Sequence, residues 1–209
     1  TSAGPRSAMR RSSDVVPAEQ RRVVKPDEID AFLRRELEQV LGRPGPLRWS
    51  ARPVERGAIW NFCEAVEDAN PVYWDEERAA ASRFGGLIAP PQALMSLMMD
   101  GWWLPTYLRR DDEVTPPLHP EATAAAHRAG LGAAANVLRD EEYLLPLGPG
   151  DGRIGQVDTL TEISAVKQTA LGLGVFLTTH SDYRRERDGR QVARSVNVLL
   201  MYDARRPRA

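Results

Sequence analysis

Apolar positions recur at helical spacing along the first half of the chain and alternate along the second. Ile29, Phe32, Leu33, Leu37, Val40 and Leu41 share one helical face, which predicts a helix over 27–41. Asp27 can cap it behind Pro26, and Gly42 stops it. Pro44 and Pro46 force a loop, after which 47–54 reads as a strand with Trp49 as its packing anchor. Ile59, Phe62, Cys63 and Val66 form a second stripe at i, i+3, i+4 and i+7, predicting a helix over 55–69. Asn70-Pro71 should end it, because proline disfavours a helical residue before it. Asp75 then caps a short helix over 76–82. Beyond Pro90-Pro91, Ala93, Leu94, Met95, Leu97, Met98 and Met99 are apolar almost all round. A helix with so little polar face, running to about Gly101, is expected to be buried on most sides.

From about Asn136 the period changes to two, with strands expected over 137–145, 153–166, 173–183 and 192–202. Leu173, Val175, Leu177, Thr179 and Tyr183 fall on one face, and Val192, Val196, Val198, Leu200 and Tyr202 alternate in the last strand. Asp188-Gly189 between these strands is a hairpin signal. The stretch 105–135, with Pro116-Pro117 and His119-Pro120, is long for an ordered connection; lid, extra helix and loop all remain open. Residues 1–24 read as a disordered arm, 25–203 as a single domain and 204–209 as a basic tail. A buried apolar helix followed by consecutive long antiparallel strands points to an α+β hotdog fold, a sheet wrapped around a central helix.

Composition narrows the function classes. Hydrophobic residues make up 42% and charged residues 27%, with a net charge of −1, which gives no case for nucleic acid or an acidic membrane surface as partner. No apolar run approaches the roughly 18 residues of a membrane span. Arg6, Arg10 and Arg11 have no apolar region behind them, so a secretory signal is not expected and a cytoplasmic protein is. The one cysteine, Cys63, excludes an internal disulfide and reads as a small core hydrophobe. No spacing of histidines and carboxylates suggests a metal site, and no cofactor is implied.

The richest stretch runs from Phe62-Cys63-Glu64-Ala65-Val66-Glu67-Asp68-Ala69-Asn70-Pro71 to Phe84-Gly85-Gly86-Leu87-Ile88-Ala89-Pro90-Pro91. It resembles the MaoC-like hydratases and dehydratases, and most of all their N-terminal half, which is similar to the dehydratase of fungal fatty-acid synthase. Gly148-Pro149-Gly150-Asp151, 174–183 and Asp188-Gly189-Arg190-Gln191-Val192-Ala193 resemble the family's later turn and final hairpin. The resemblance implies addition of water to, or its removal from, a double bond beside a thioester. It also implies the pattern Asp-x-Asn-Pro-x-His, in which aspartate and histidine activate one water. By the same resemblance Asn70 and the Gly85, Gly86, Leu87, Ile88 and Ala89 loop, with the helix start behind it, would bind substrate and offer backbone N–H groups to the thioester oxygen.

Asp68, Asn70 and Pro71 match that pattern, but Tyr73 stands in the histidine's place. A phenol with an ordinary pKa of about 10 misses the range of a base near 6.5 by about three units, on the order of 4 kcal/mol. Asp68 and Tyr73 are therefore the candidate catalytic pair, either as an altered site or, the favoured reading, as a degenerate one kept for its turn. His180 and Asp182 share a strand face and form a second conceivable pair, though a polar sheet face is the plainer reading. Members of the family often work as two hotdogs, one carrying the chemistry. The resemblance thus implies a subunit of a heteromeric enoyl-CoA hydratase or 3-hydroxyacyl-thioester dehydratase that shapes an acyl tunnel. Its partners would be an acyl-CoA or acyl-carrier thioester and a second hotdog chain with the intact motif. Leu94 to Met99 and Trp102-Trp103 would line or back the tunnel, with plain core the favoured alternative for the tryptophan pair, and two unlike halves could widen the tunnel for bulky groups such as steroid side-chain thioesters. A self-sufficient homo-oligomer and a non-catalytic thioester-binding protein are the alternatives.

Overall fold

The computed structural model of the chain describes residues 25–99 and 120–205. The arm expected over 1–24, the Trp102-Trp103 pair, His119 and most of the basic tail lie outside them. Pro26–Leu37 forms α1. Lys25 is its N-cap and Pro26 occupies the first turn, where a missing N–H costs nothing. Asp27 is therefore not the cap; with Glu28 it sits inside the first turn, where negative charge suits the helix dipole. The helix stops at Leu37, short of the expected Leu41, which is exposed. Arg48–Trp49 is all that forms of the strand expected over 47–54, here β1. Trp49 is not a buried anchor either: it lies at the surface beneath the Arg153 guanidinium, 5.4 Å from its ring centre.

Arg56–Val66 forms α2. It ends before Asn70-Pro71, at Glu67, whose left-handed backbone (φ 56°) turns the chain and closes hydrogen bonds to the carbonyls of Cys63 and Glu64. Ile59 and Cys63 of the expected stripe are buried, whereas Val66 is exposed. Pro71–Trp74 forms α3 and Glu76–Ala81 forms α4, the latter capped by Asp75 as expected. A 3-10 turn over Pro91–Ala93 leads into α5, Leu94–Met98. This apolar helix is shorter than its pattern suggested and is not buried all round. Leu94 and Met98 face the core while Met95 and Met99 are 42% and 64% exposed. Part of the undecided 105–135 stretch is helical, as α6, Pro120–Arg128.

The strands follow: β2 Ala133–Tyr143, β3 Ile154–Ile163, β4 Lys167–Thr169, β5 Gly172–Arg185 and β6 Gln191–Asp203. They form an antiparallel sheet in the order β1-β3-β5-β6-β2, with β4 paired to β5. The helices cover one face of this sheet in two groups. Residues of α2, α3 and α5 pack on Ile154, Tyr183, Val192 and Ala193. Residues of α1 and α6 pack on Leu160, Leu173, Val175, Leu177 and Met201. Between the two clusters the same sheet face is polar. Asp158, Ser181, Ser195 and Glu141 lie in register across β3, β5, β6 and β2. Asp158 repays its burial by accepting hydrogen bonds from Gln156 and Ser181 and pairing with Arg48 of β1 at 3.0 Å. From Val196 onward the β6 alternation therefore marks the other face: apart from buried Leu200, Val196, Val198 and Tyr202 are only half-buried, and Ser195, Asn197 and Met201 point to the deep one, while Val192 at the strand's start is buried. The sheet packed on α5 is the hotdog arrangement expected from the pattern.

One contact fixes the motif loop to the sheet. The Ala89 N–H donates to the Leu147 carbonyl at 2.6 Å, and the Ile88 N–H to the Val72 carbonyl at 3.2 Å. The Leu87 carbonyl then lies so close to Gly148 that no Cβ fits there. The turn holding Gly148 is itself tied down: Asp151 accepts from the Gly148 N–H at 2.8 Å and pairs with Arg185 and Arg187, both at 3.4 Å. Replacing Gly148 by alanine should lower stability by about 1–3 kcal/mol, because backbone must move to admit the methyl. Gly86→Ala, where an added Cβ meets nothing within 4 Å, should stay within about 0.5 kcal/mol of the parent. Urea unfolding of both variants checks this; equal stabilities would contradict it.

Candidate functional site

The Asp68 to Asp75 stretch is first a piece of local architecture. The Asp68 carboxylate accepts the Asn70 N–H at 3.0 Å, and the Asn70 side chain accepts the Val72 N–H at 3.3 Å, capping α3 with Pro71 at its first position. Indole groups brace the turn from both sides. Trp74 Nε1 donates to the Asp68 carbonyl at 2.7 Å and Trp60 Nε1 to the Tyr73 carbonyl at 3.1 Å. The two rings stack with centroids 6.1 Å apart and planes 12° from parallel. Arg56 lies over the Trp60 ring and also pairs with Glu76 of α4. Trp74 thus packs and anchors, and the motif's polar atoms largely hold its own backbone.

The two candidate catalytic residues open onto different cavities. Asp68 lines an open cleft of about 540 Å³ together with Glu64, Glu67, Trp74, Asp75 and Arg78. Tyr73, Asn70, Ile88 and Ala89 line a more enclosed cavity of about 440 Å³ on the other side of α3. The larger cleft is a poor acyl site: four carboxylates stand around it against one arginine, already paired with Asp75 at 3.3 Å. The smaller cavity has a buried apolar floor of Ile88, Ala89, Leu94, Leu147, Val192 and Ala193. Tyr73 is 8% exposed there, and burial first, then the nearby Asp68 carboxylate, pushes its phenol above the ordinary range. It is held as a neutral hydrogen-bonding group.

The loop residues are split in the same way. Gly85, Gly86 and Leu87 do not line the cavity, although the sequence placed them with substrate. The N–H groups of Ile88 and Ala89 are spent on the Val72 and Leu147 carbonyls, and Pro90 and Pro91 have none. The oxyanion site expected at this loop therefore lacks its donors at Ile88 through Pro91. His180 and Asp182 sit exposed on β5, with Asp182 accepting from Gln191, and His127 is exposed on α6; none of the three lines either cavity. Among the described residues no group of three or more histidine, cysteine, aspartate and glutamate side chains is placed to hold a metal, and no helix is long and apolar enough to cross a membrane.

The far wall of the cavity was missed by the motif reading. It consists of Tyr143, Leu144, Leu145, Pro146 and Leu147 at the end of β2, with Val192 and Ala193 of β6. These residues lie some seventy or more positions from Tyr73; the glycine turn at 148 and the hairpin segment ending in Val192-Ala193 were the pointers to them. Tyr143 donates its phenol to Glu141, and Glu141 pairs with Arg139, which reaches the Tyr183 hydroxyl at 3.1 Å. Burial, with Glu141 as acceptor, raises the Tyr143 phenol well above its usual value, so it too stays protonated. Removing the α3 cap by Asn70→Ala should cost about 1 kcal/mol, while Asn70→Asp, which keeps the acceptor, should cost less. Thermal unfolding of the two variants measures the difference, and a harmless alanine would contradict the structural role.

Comparison with known proteins adds the family. Residues 47–195 match the family described as FAS1-like, dehydratase domain region. The chain is 32% identical over 177 residues to a probable enoyl-CoA hydratase alpha subunit of Thermomonospora curvata, covering 84% of this chain and 52% of that protein. It is 31% identical over 137 residues to the 3-oxo-4,17-pregnadiene-20-carboxyl-CoA hydratase alpha subunit of Mycobacterium tuberculosis, covering 66% of this chain and 42% of that one. The chain thus spans about half the length of the curated relatives it matches. Among solved structures, a chain of the ChsH1-ChsH2 complex from Mycobacterium tuberculosis superposes with a TM-score of 0.70 at 26% identity, covering 86% of this chain and 94% of that one. A MaoC-like dehydratase from Rhodospirillum rubrum shares the fold, with a TM-score of 0.51 at 24% identity over 79% of this chain and 93% of that one. The matched span, the antiparallel sheet packed on α5 and the motif turn all agree: the chain belongs to the FAS1-like dehydratase-region family and has the hotdog fold.

Proposed function

We propose that this chain is one half of a heteromeric enoyl-CoA hydratase or 3-hydroxyacyl-thioester dehydratase, in which it shapes the acyl cavity and a second hotdog chain carries the Asp/His pair. The observation that carries the reading is the phenol in the place of the base: Tyr73 lies close enough to Asp68 to feel its charge and is held above the ordinary range of a phenol. Asp68 is engaged by the Asn70 N–H and opens onto the acidic cleft, while Tyr73 is a buried phenol in the apolar cavity. Hydration of an enoyl thioester needs a base on water and an acid at the α-carbon, both within reach of one substrate. A phenol held above its ordinary range, lining a cavity that the Asp68 carboxylate does not line, does not meet that need. What the cavity does offer is an enclosed apolar floor that holds an acyl chain and keeps water from it.

The sheet edge supports a partner. β2 is eleven residues long and, among the described residues, pairs only with β6, with no described strand on its outer edge. Val137, Leu138, Tyr143 and Leu144 at that edge are 37% to 53% exposed. A strand from a second hotdog laid along β2 would continue the sheet and cover these side chains. The same edge ends at Tyr143 and Leu144 on the cavity rim, so the partner's catalytic residues would arrive beside the acyl floor. The names of the relatives, alpha subunits of enoyl-CoA and steroid carboxyl-CoA hydratases, fit this reading and favour a bulky acyl group such as a steroid side-chain thioester.

The purified chain should not hydrate crotonyl-CoA or a steroid enoyl-CoA, and its complex with a hotdog chain bearing the intact motif should. Within that complex, Asp68→Asn with Tyr73→Phe should keep activity within about threefold, less than the hundredfold or more expected for loss of a general acid–base group. Hydration by the chain alone, or collapse of activity in the double variant, would overturn the proposal. Absence of thioester binding by the complex would do so as well.

A further inference from the structure

The apolar floor of the cavity gives way to the polar band on the same face of the sheet. Tyr143 and Ala193 line the cavity and pair in register. Ser195 and Asn197 follow Ala193 along β6 on that face, one and two side-chain positions further on, which at the rise of a strand is about 7 and 13 Å. Tyr143 links the two regions: it lines the cavity, and its hydroxyl donates to Glu141, which pairs with Arg139. Most of the band is internally satisfied. Asp158 accepts from Arg48, Gln156 and Ser181. Arg139 is shared between Glu141 and the Tyr183 hydroxyl, which also meets Ser195 Oγ at 3.3 Å. Asn197 is the exception. It stands in register between Arg139 of β2 and Thr179 of β5, is 4% exposed, and its Oδ1 has no hydrogen-bond partner. No other buried side-chain oxygen or nitrogen among the described residues is left in this way. A buried acceptor without a donor is costly, and native chains keep few of them.

Resting on the acyl-cavity reading, we infer that Asn197 is a specificity residue that accepts a hydrogen bond from a hydroxyl group at the far end of a rigid, fused-ring acyl group. The unmet atom is an oxygen, so the group that completes it must donate; a ketone or a bare hydrocarbon cannot. A neutral hydroxyl also leaves the Arg139–Glu141 pair undisturbed, which a charged group would not. Fused rings hold the hydroxyl at a fixed distance from the thioester, whereas a flexible chain would lose its freedom in bringing one there. The apolar floor at Leu94, Val192 and Ala193 suits the ring faces, and the band beyond it suits the one polar substituent. Ser195 and Asn197 are closed off in the empty chain, so the rings reach them as the packing above the sheet opens. Met98 packs in the same cluster as Tyr183 and Ala193, and its unbranched side chain can shift without moving α5.

The test measures binding of three saturated coenzyme A thioesters to the two-chain complex by calorimetry. All are built on androstane-17-carboxylic acid: one bare at the ring carbon farthest from the thioester, one with a ketone there and one with a hydroxyl, in both epimers. The parent complex should bind one hydroxyl epimer about tenfold more tightly than the bare compound, the worth of one neutral hydrogen bond to an otherwise unmet acceptor. The ketone should bind no better than the bare compound. Asn197→Leu, which keeps the size of the side chain and removes the acceptor, should bind all of them alike, at the parent's affinity for the bare compound. Equal binding of hydroxyl and bare compounds by the parent would mean that Oδ1 meets water only, and overturns the assignment without recourse to any variant. A preference for the ketone, or a hydroxyl preference that survives in Asn197→Leu, overturns it as well. In each of these cases the acyl-cavity reading stands. Failure of every thioester to bind the parent complex overturns that reading, and this one with it.

Discussion

The close approach of the Leu87 carbonyl to Gly148 is the constraint on which the site depends. It lets Ala89 donate to Leu147 and so hooks the segment after the Gly85-Gly86 loop onto the end of β2. Everything that forms the cavity hangs from this hook. One wall descends from it through Pro90, Pro91 and Leu94, and the other continues from Leu147 back to Tyr143. The hook also explains why Asp151 is buried with two arginines around it. The turn must not yield, and the carboxylate holds the Gly148 N–H from inside. Arg185 in turn grips Asp188 of the β5–β6 hairpin, which holds that carboxyl well below its usual range. A chain of contacts thus runs from hairpin to turn to motif loop.

Seen from that frame, the Asp68 to Asp75 stretch has a structural task that does not require chemistry. Its aspartate and asparagine serve backbone N–H groups, its proline starts a helix, and its two tryptophan partners clamp the backbone carbonyls. The hydrogen bonds that cap and clamp this turn do not need a histidine at position 73, where a buried phenol packs against the cavity floor. The position that would carry the base has become part of the wall. Cys63 has no task beyond packing: it is fully buried, and burial raises its thiol above the ordinary value.

Much of the fold was legible because its signals are local. Alternation in β5, the Asp188-Gly189 turn and the Asp75 cap are set by neighbours a few residues away, and each is found where the pattern put it. The failures share a cause as well. Leu41, Val66 and Trp49 extend apolar patterns past the point where a tertiary partner exists, so they end exposed. In β6 Val196, Val198 and Tyr202 of the apolar alternation fall on the less buried face, because the deep face there carries Ser195 and Asn197 in the polar band with Asp158 and Ser181. In the site, Asn70, Tyr73, Ile88 and Ala89 could be found from one motif. The same motif names Asp68, which precedes the helix and lines the acidic cleft, because sequence spacing does not say toward which cavity a turn residue faces. Tyr143, Leu145 and Val192 reach the site through sheet register, which a single sequence does not display.

The central claim is that the acyl group sits in the cavity between α3, α5 and the end of β2, and not in the carboxylate-lined cleft beside Asp68. Photolabelling of the two-chain complex with an enoyl-CoA carrying a diazirine at its acyl end, followed by peptide mapping, tests this directly. The account predicts label on Val72, Leu94, Leu145 or Val192, and competition by unlabelled thioester. Label on Glu64, Glu67 or Asp75 would contradict it, as would label that falls only on the partner chain.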